Sequence, residues 1–258
     1  MPFATAAGRS VAYEWIGASF STRESGKPTL VFLHEGLGSI RQWRDFPAKA
    51  AAATGCRALV YDRYGYGQSD VLAEAKRTVR FMHDEALNAL PELLQSLKVE
   101  NPLLIGHSDG ASIALIHAGA GHAVRGVVAM APHVFIEPLC LNSIVTAAEQ
   151  FETTDFAEKL GRHHRDARKT FYGWADVWLD RNFKSWDIRA DYLPQVRCPV
   201  LAIQGYDDEY GTMAQLDELA RRVRGPCELL KLKDCGHAPF REQPEQTLDA
   251  VVRFVRSV

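Results

Sequence analysis

The chain carries short apolar runs, rich in aliphatic and β-branched residues, at 29–33, 58–61, 103–105, 126–131 and 199–204, with a further run at 228–232. Continuous runs of this length suit strands buried on both faces, the condition of a parallel sheet covered by helices. Helix-prone stretches separate them. The alanine-rich segment 43–53 is stopped by Gly55, and 81–97 places Ala86, Leu90, Leu93, Leu94 and Leu97 at helical spacing. The last, 246–255, puts Leu248, Val251, Val252 and Val255 on one face. Segment 11–16 instead alternates apolar and polar residues, as a half-exposed strand at a sheet edge does. From about 137 to 195 no strand-like run occurs, and charges and aromatics dominate. The expected fold is therefore α/β, a mostly parallel, helix-covered sheet with a helical lid inserted after the sixth strand. The core would comprise 1–136 and 196–258, and the lid 137–195, lying over the strand carboxyl ends where open α/β sheets bind ligands.

Composition narrows the partners. At 258 residues, 47% hydrophobic and 24% charged, the chain suits one large globular domain with an insertion. A net charge of -2 gives no electrostatic reason to expect nucleic acid or a membrane surface. No signal peptide is read in the first ten residues, and no apolar stretch approaches membrane-spanning length. Cys56, Cys140, Cys198, Cys227 and Cys235 are odd in number and scattered, which fits idle thiols in a reducing compartment. The cytoplasm is the expected location. Oligomeric state is not legible.

The chemistry starts at Leu103-Leu104-Ile105-Gly106-His107-Ser108-Asp109-Gly110, a strand-like run that ends in Gly-x-Ser-x-Gly and enters a helix. A lone pentapeptide of this kind arises by chance in roughly one chain in ten. Its weight comes from two loops nearer the carboxyl terminus. A serine hydroxyl needs a base to take its proton, and the base needs an acid to orient it. Gln204-Gly205-Tyr206-Asp207-Asp208 puts an acid after one later strand, and Asp234-Cys235-Gly236-His237 puts a histidine after the last.

With Phe32-Leu33-His34, the loop from Asp62-Arg63-Tyr64-Gly65 to Ser69, and Cys198-Pro199-Val200-Leu201, these motifs give a chain that resembles the α/β-hydrolase superfamily from about Leu30 to its last helix. The resemblance implies Ser108 as nucleophile, His237 as general base and Asp208 as orienting acid. The family's Gly-x-x-Asp spacing selects Asp208 over its neighbour Asp207. It also implies an oxyanion hole made by the backbone N–H groups of Gly36 and Asp109. One departure stands out. Relatives commonly read His-Gly where this chain reads His34-Glu35, so a carboxylate sits beside the hole, either turned into a salt bridge or engaged in substrate selection. The Asp109 side chain is expected to cap the helix that begins there.

Glu35 and Leu37, on the loop after the run 29–33, and His133, just before the lid, are the candidate substrate-binding residues. Trp174, Trp178 and Trp186 are read as lid packing, and the basic stretch 162–169 as a solvated helix face. His163 and His164 point to different helix faces and make a poor metal pair, so neither metal nor cofactor is expected. The expected reaction is hydrolysis of a small carboxylic ester or lactone through an acyl-enzyme. Hydrolysis of a carbon–carbon bond in a vinylogous diketone is the rival on the same triad, and a non-catalytic ligand receptor on the same fold is the alternative from another class.

Overall fold

The computed structural model describes residues 1–17 and 26–258. Eight strands form one sheet: β1 Phe3–Ala6, β2 Arg9–Ile16, β3 Leu30–Leu33, β4 Ala58–Tyr61, β5 Leu103–His107, β6 Gly126–Met130, β7 Val200–Gly205 and β8 Cys227–Leu232. Their order is β1-β2-β4-β3-β5-β6-β7-β8, antiparallel at β1–β2 and β2–β4 and parallel elsewhere. The α/β-hydrolase arrangement expected from the sequence is what the chain adopts. One detail differs: β1, too short to register as a pattern, occupies the edge and leaves β2 one place inside it. With β1 counted, Gly126–Met130 is the sixth strand, after which the helical segment is expected.

Successive residues on the central strands point to opposite faces, and both faces are dry. Val31, Leu33 and Leu104 join one core with the helices of 81–96 and α3 (Asp109–Gly119). Leu30, Phe32, Leu103 and Ile105 join the other with α1 (Phe46–Thr54) and α8 (Pro244–Ser257). That is why these strands read as unbroken apolar runs.

The segment 81–97 does not form the single regular helix its spacing predicts. It runs as α2, Phe81–Asp84, a π-helical turn at Glu85–Ala89, and Leu90–Ser96. Pro91 is the local reason, because it has no N–H to continue the regular ladder. The Leu90 N–H bonds to the Glu85 carbonyl five residues back, and the Ala86 carbonyl so freed lies 2.8 Å from His117 Nδ1 on α3.

Between β6 and β7 lie α4 (Pro138–Thr153), α5 (Phe156–Gly161) and α6 (Ala167–Trp178). The basic stretch after α5 is not wholly a solvated face. His164 is only 5% exposed, and its Nδ1 accepts the Gly67 N–H at 2.8 Å while Nε2 donates to the Leu37 carbonyl at 3.0 Å. One neutral imidazole thus ties the inserted helices to two core loops. Burial is the main cause that lowers its pKa to about 4. The unfolded chain takes up this proton near pH 6.5, the folded one only near 4, so the stability it confers is complete above 6.5 and lost as pH falls through that window. The shift corresponds to about 3 kcal/mol. His164→Gln is expected to have a lower Tm than wild type at neutral pH and a shallower fall in Tm on acidification, measured by thermal scans across that window.

No helix among the described residues is long and apolar enough to cross a membrane.

Candidate active site

Ser108 sits where β5 turns into α3, with φ 52° and ψ -119°. A non-glycine residue in this region is strained, and tight packing on both sides holds it there. A side chain at Gly106 would come within 2.3 Å of the Gly110 carbonyl oxygen, and one at Gly110 within 2.0 Å of the Leu33 carbonyl oxygen. Both glycines are required by close approach of backbone.

The candidate acid and base lie after the last two strands. Asp208, after β7, is 6% exposed, and its Oδ1 lies 2.8 Å from His237 Nδ1, after β8. The same Oδ1 accepts the N–H groups of Tyr210 at 2.8 Å and Gly211 at 3.2 Å. Burial acts to raise the Asp208 carboxyl, but the charge and hydrogen bond of His237 outweigh it and hold it low. Burial acts to depress His237, and Asp208 outweighs that too, so the imidazole is raised above its ordinary value. Asp207 is exposed.

Ser108 and His237 line one cavity of about 100 Å³ together with Glu35, Gly36, Leu37 and His133. No hydrogen bond of the described residues joins Ser108 Oγ to His237; such contacts are often long before a substrate is bound. A larger cavity of about 230 Å³, against Tyr61, Phe81 and Glu85, is lined by none of Ser108, Asp208 and His237. The candidate nucleophile and base both line the smaller one. Burial lowers the His133 pKa to about 3, so this ring is neutral, and it packs edge-on against Trp178 with centroids 4.9 Å apart.

The two acidic residues beside the elbow have separate partners. Glu35 lines the cavity, yet its Oε1 lies 3.4 Å from Arg241 Nη2 and its Oε2 3.4 Å from His107 Nδ1. Burial would raise this carboxyl, and His107 with Arg241 reverses the effect and holds it well below the usual carboxylate range. It is ionised and paired. Asp109 is fully buried and does not cap its helix: Ser108 occupies the N-cap position, and no side chain accepts the cap hydrogen bond. Instead it faces Arg63, with Nη2 3.8 Å from Oδ2. Burial pushes the Asp109 carboxyl up, opposed by Arg63 and Arg77.

Several residues of the site carry no sequence pattern that marks them. Trp174 and Trp178 pack in the core as expected, with Phe171 and Phe183, and also form cavity wall along with Cys140 and Tyr210. Apolar spacing on α6 does not distinguish a wall facing the sheet from one facing a cavity. Trp186 packs too, with His83 and Phe183. His107 holds the base loop, its Nε2 lying 2.7 Å from the His237 carbonyl oxygen. Its position inside Gly-x-Ser-x-Gly is the one available signal.

Comparison with known proteins agrees with this fold. The chain is 24% identical over 249 residues to 3-oxoadipate enol-lactonase 1 of Acinetobacter baylyi, covering 90% of each. Among solved structures it resembles the enol-lactonase from Burkholderia xenovorans LB400, with a TM-score of 0.74, 21% identity, and 99% of this chain and 100% of that one covered. A carboxylesterase structure from Nitrososphaera gargenis gives a TM-score of 0.79 at 19% identity, covering 99% and 98%. At these identities the structural likenesses concern the fold alone. Residues 30–250, most of the chain and all of the strand ends described above, match the Alpha/beta hydrolase family, and the protein belongs to it.

Proposed function

We propose that the protein is a serine hydrolase that cleaves small carboxylic esters or lactones through an acyl-enzyme. The observation that carries this reading is the Asp208–His237 hydrogen bond of 2.8 Å, opening onto a cavity shared with a strained, elbow-borne Ser108. His237 takes the Ser108 proton as Oγ attacks the carbonyl, and Asp208 stabilises the imidazolium that forms. The N–H groups of Gly36 and Asp109 receive the oxyanion, and no hydrogen bond of the described residues engages either. His237 then returns the proton to the leaving alkoxide, and water repeats the sequence on the acyl-enzyme. The helices over 137–195 act as the lid, supplying Cys140, Trp174 and Trp178 to the cavity.

The cavity also speaks to the acyl group. It is smaller than the roughly 150 Å³ that houses a benzene ring, so it suits acyl chains of about four carbons or fewer. Among the described residues no Lys or Arg lines it; His133 is neutral, and the one anion, Glu35, already holds Arg241 from outside the lining. A carboxylate-bearing acyl group such as the one named for the Acinetobacter relative would find no cation left to pair with it there. Glu35, Leu37 and His133 thus select a short, uncharged acyl group.

p-Nitrophenyl acetate and butyrate are expected to exceed both the octanoate and the hemisuccinate in kcat/KM by about 10-fold or more. Glu35→Gln should narrow the gap to the hemisuccinate. Preference for the hemisuccinate in wild type would refute the acyl assignment, and no turnover of any ester by folded protein would refute the hydrolase itself.

A further inference from the structure

Behind the cavity wall one buried guanidinium touches both halves of the proposed oxyanion hole. Arg63 is 2% exposed. Its Nη2 donates to the carbonyl oxygens of Glu35 at 2.9 Å and His34 at 3.2 Å, and lies 3.8 Å from Asp109 Oδ2. His34 joins from the side. Its Nε2 accepts the Arg63 backbone N–H at 3.0 Å, which leaves the ring proton on Nδ1, 2.7 Å from the Glu35 carbonyl oxygen. The Glu35 carbonyl therefore accepts two hydrogen bonds, one of them from a charged donor.

That carbonyl belongs to the peptide unit whose nitrogen is Gly36. The unit is trans, like every peptide bond of the described residues, so its C=O and N–H point in opposite directions. Holding the oxygen on Arg63 and His34 turns the Gly36 N–H away from them, and Gly36 lines the cavity beside Ser108. A polarised carbonyl also makes its own N–H a stronger donor. The position is otherwise free to turn. Trp174 leaves no room for a side chain at Gly36, since a Cβ there would approach Trp174 Nε1 to 2.1 Å, and a glycine lets the preceding peptide flip at little steric cost. A flipped unit would present a carbonyl oxygen to a developing oxyanion.

We infer that Arg63, with His34, is the positioning residue of the oxyanion hole: it clamps the Glu35–Gly36 peptide so that its N–H faces the substrate carbonyl, and ties that loop to Asp109 at the elbow. The inference rests on the serine-hydrolase reading. Arg63 does not touch substrate. Its effect belongs to the step in which charge develops on the carbonyl oxygen, and so to kcat rather than to KM.

The test uses Arg63→Lys and His34→Gln in the full chain, assayed with p-nitrophenyl acetate. It adds inhibition by a small trifluoromethyl ketone, whose serine adduct bears an oxyanion, and thermal unfolding. Lysine keeps a charge for Asp109 but carries it on a flexible stem, without the rigid guanidinium plane that sets Nη2 between the two carbonyls. Arg63→Lys is expected to lower kcat by about 10- to 100-fold with KM nearly unchanged, and to weaken the ketone by a similar factor. Wild-type kcat and ketone affinity in folded Arg63→Lys overturn the inference, as does a loss confined to KM. Should Arg63→Lys not fold, His34→Gln is read by the same criteria with a smaller loss, and unchanged kcat there overturns it. Wild type that neither hydrolyses the ester nor binds the ketone overturns the hydrolase reading together with this one; wild-type turnover with unaffected variants overturns this one alone.

Discussion

Ser108→Ala is expected to fold as wild type does, to lose ester turnover by a factor on the order of 10⁵–10⁶, and to escape labelling by a fluorophosphonate that labels wild type at this residue. The size of the loss follows from the position. Ser108 is the one hydroxyl among the described cavity-lining residues that sits at a helix amino terminus. Tyr210 also carries a hydroxyl there, but burial pushes its pKa up to about 12, which leaves it a poor nucleophile at neutral pH. Removing the Ser108 Oγ takes away only a small, partly exposed atom from a turn whose geometry is set by Gly106 and Gly110. Unfolding is therefore not the expected cause of inactivity, and matched Tm values check this. Mass spectrometry of the labelled wild-type protein reads the site directly. Labelling at another residue, or retained turnover in the alanine variant, would remove Ser108 from the mechanism.

The sheet was legible because its central strands are dry on both faces, and that leaves an unbroken apolar run in the sequence. The run 58–61 coincides with β4, and the others agree with their strands to within one or two residues. β1 was not legible: Phe3–Ala6 has four residues, of which only Ala6 is buried. The π-turn of Glu85–Ala89 was hidden because apolar spacing runs straight through it, although Pro91 marks the break. At the site, Ser108, Asp208 and His237 could be named because each comes within a few residues of a strand end, so local pattern and tertiary position coincide. The charges beside them could be seen but not paired. Glu35 meets Arg241 across 206 residues of chain, and nothing local in either segment announces the other. The same holds for Arg63. Its glycine-rich loop marked the family, whereas its contacts with Glu35, His34 and Asp109 come from packing three loops onto one strand edge.

These pairings also answer how two acids can flank the proposed oxyanion hole. Glu35 is ionised but held between Arg241 and His107. Asp109 is buried with its carboxyl pushed up and Arg63 in front of it. Each negative charge is countered by a partner of its own, so neither opposes the oxyanion in full, and the uncompensated field at the carbonyl comes from the two backbone N–H groups and the α3 amino terminus.

Asp208→Asn separates orientation from charge more cleanly here than a carboxylate with one partner would allow. Oδ1 of Asp208 accepts from Tyr210 N–H and Gly211 N–H as well as from His237. An asparagine carbonyl placed there keeps all three acceptor contacts, so the loop and the His237 tautomer survive while the charge is lost. The expected fall in kcat/KM is about 10²- to 10⁴-fold. Asp207→Asn, on an exposed side chain, should stay within about twofold of wild type. The pH profile carries the sign. His237 must be neutral to accept the Ser108 proton, and Asp208 raises its pKa by favouring the imidazolium. In wild type, activity is therefore lost as pH falls through a value above the ordinary 6.5 or so of histidine. In Asp208→Asn the residual activity should persist to lower pH, because the imidazolium has lost its counter-charge while its burial remains. An acid limb that stays in place in Asp208→Asn, or that moves in Asp207→Asn instead, would transfer the orienting role away from Asp208.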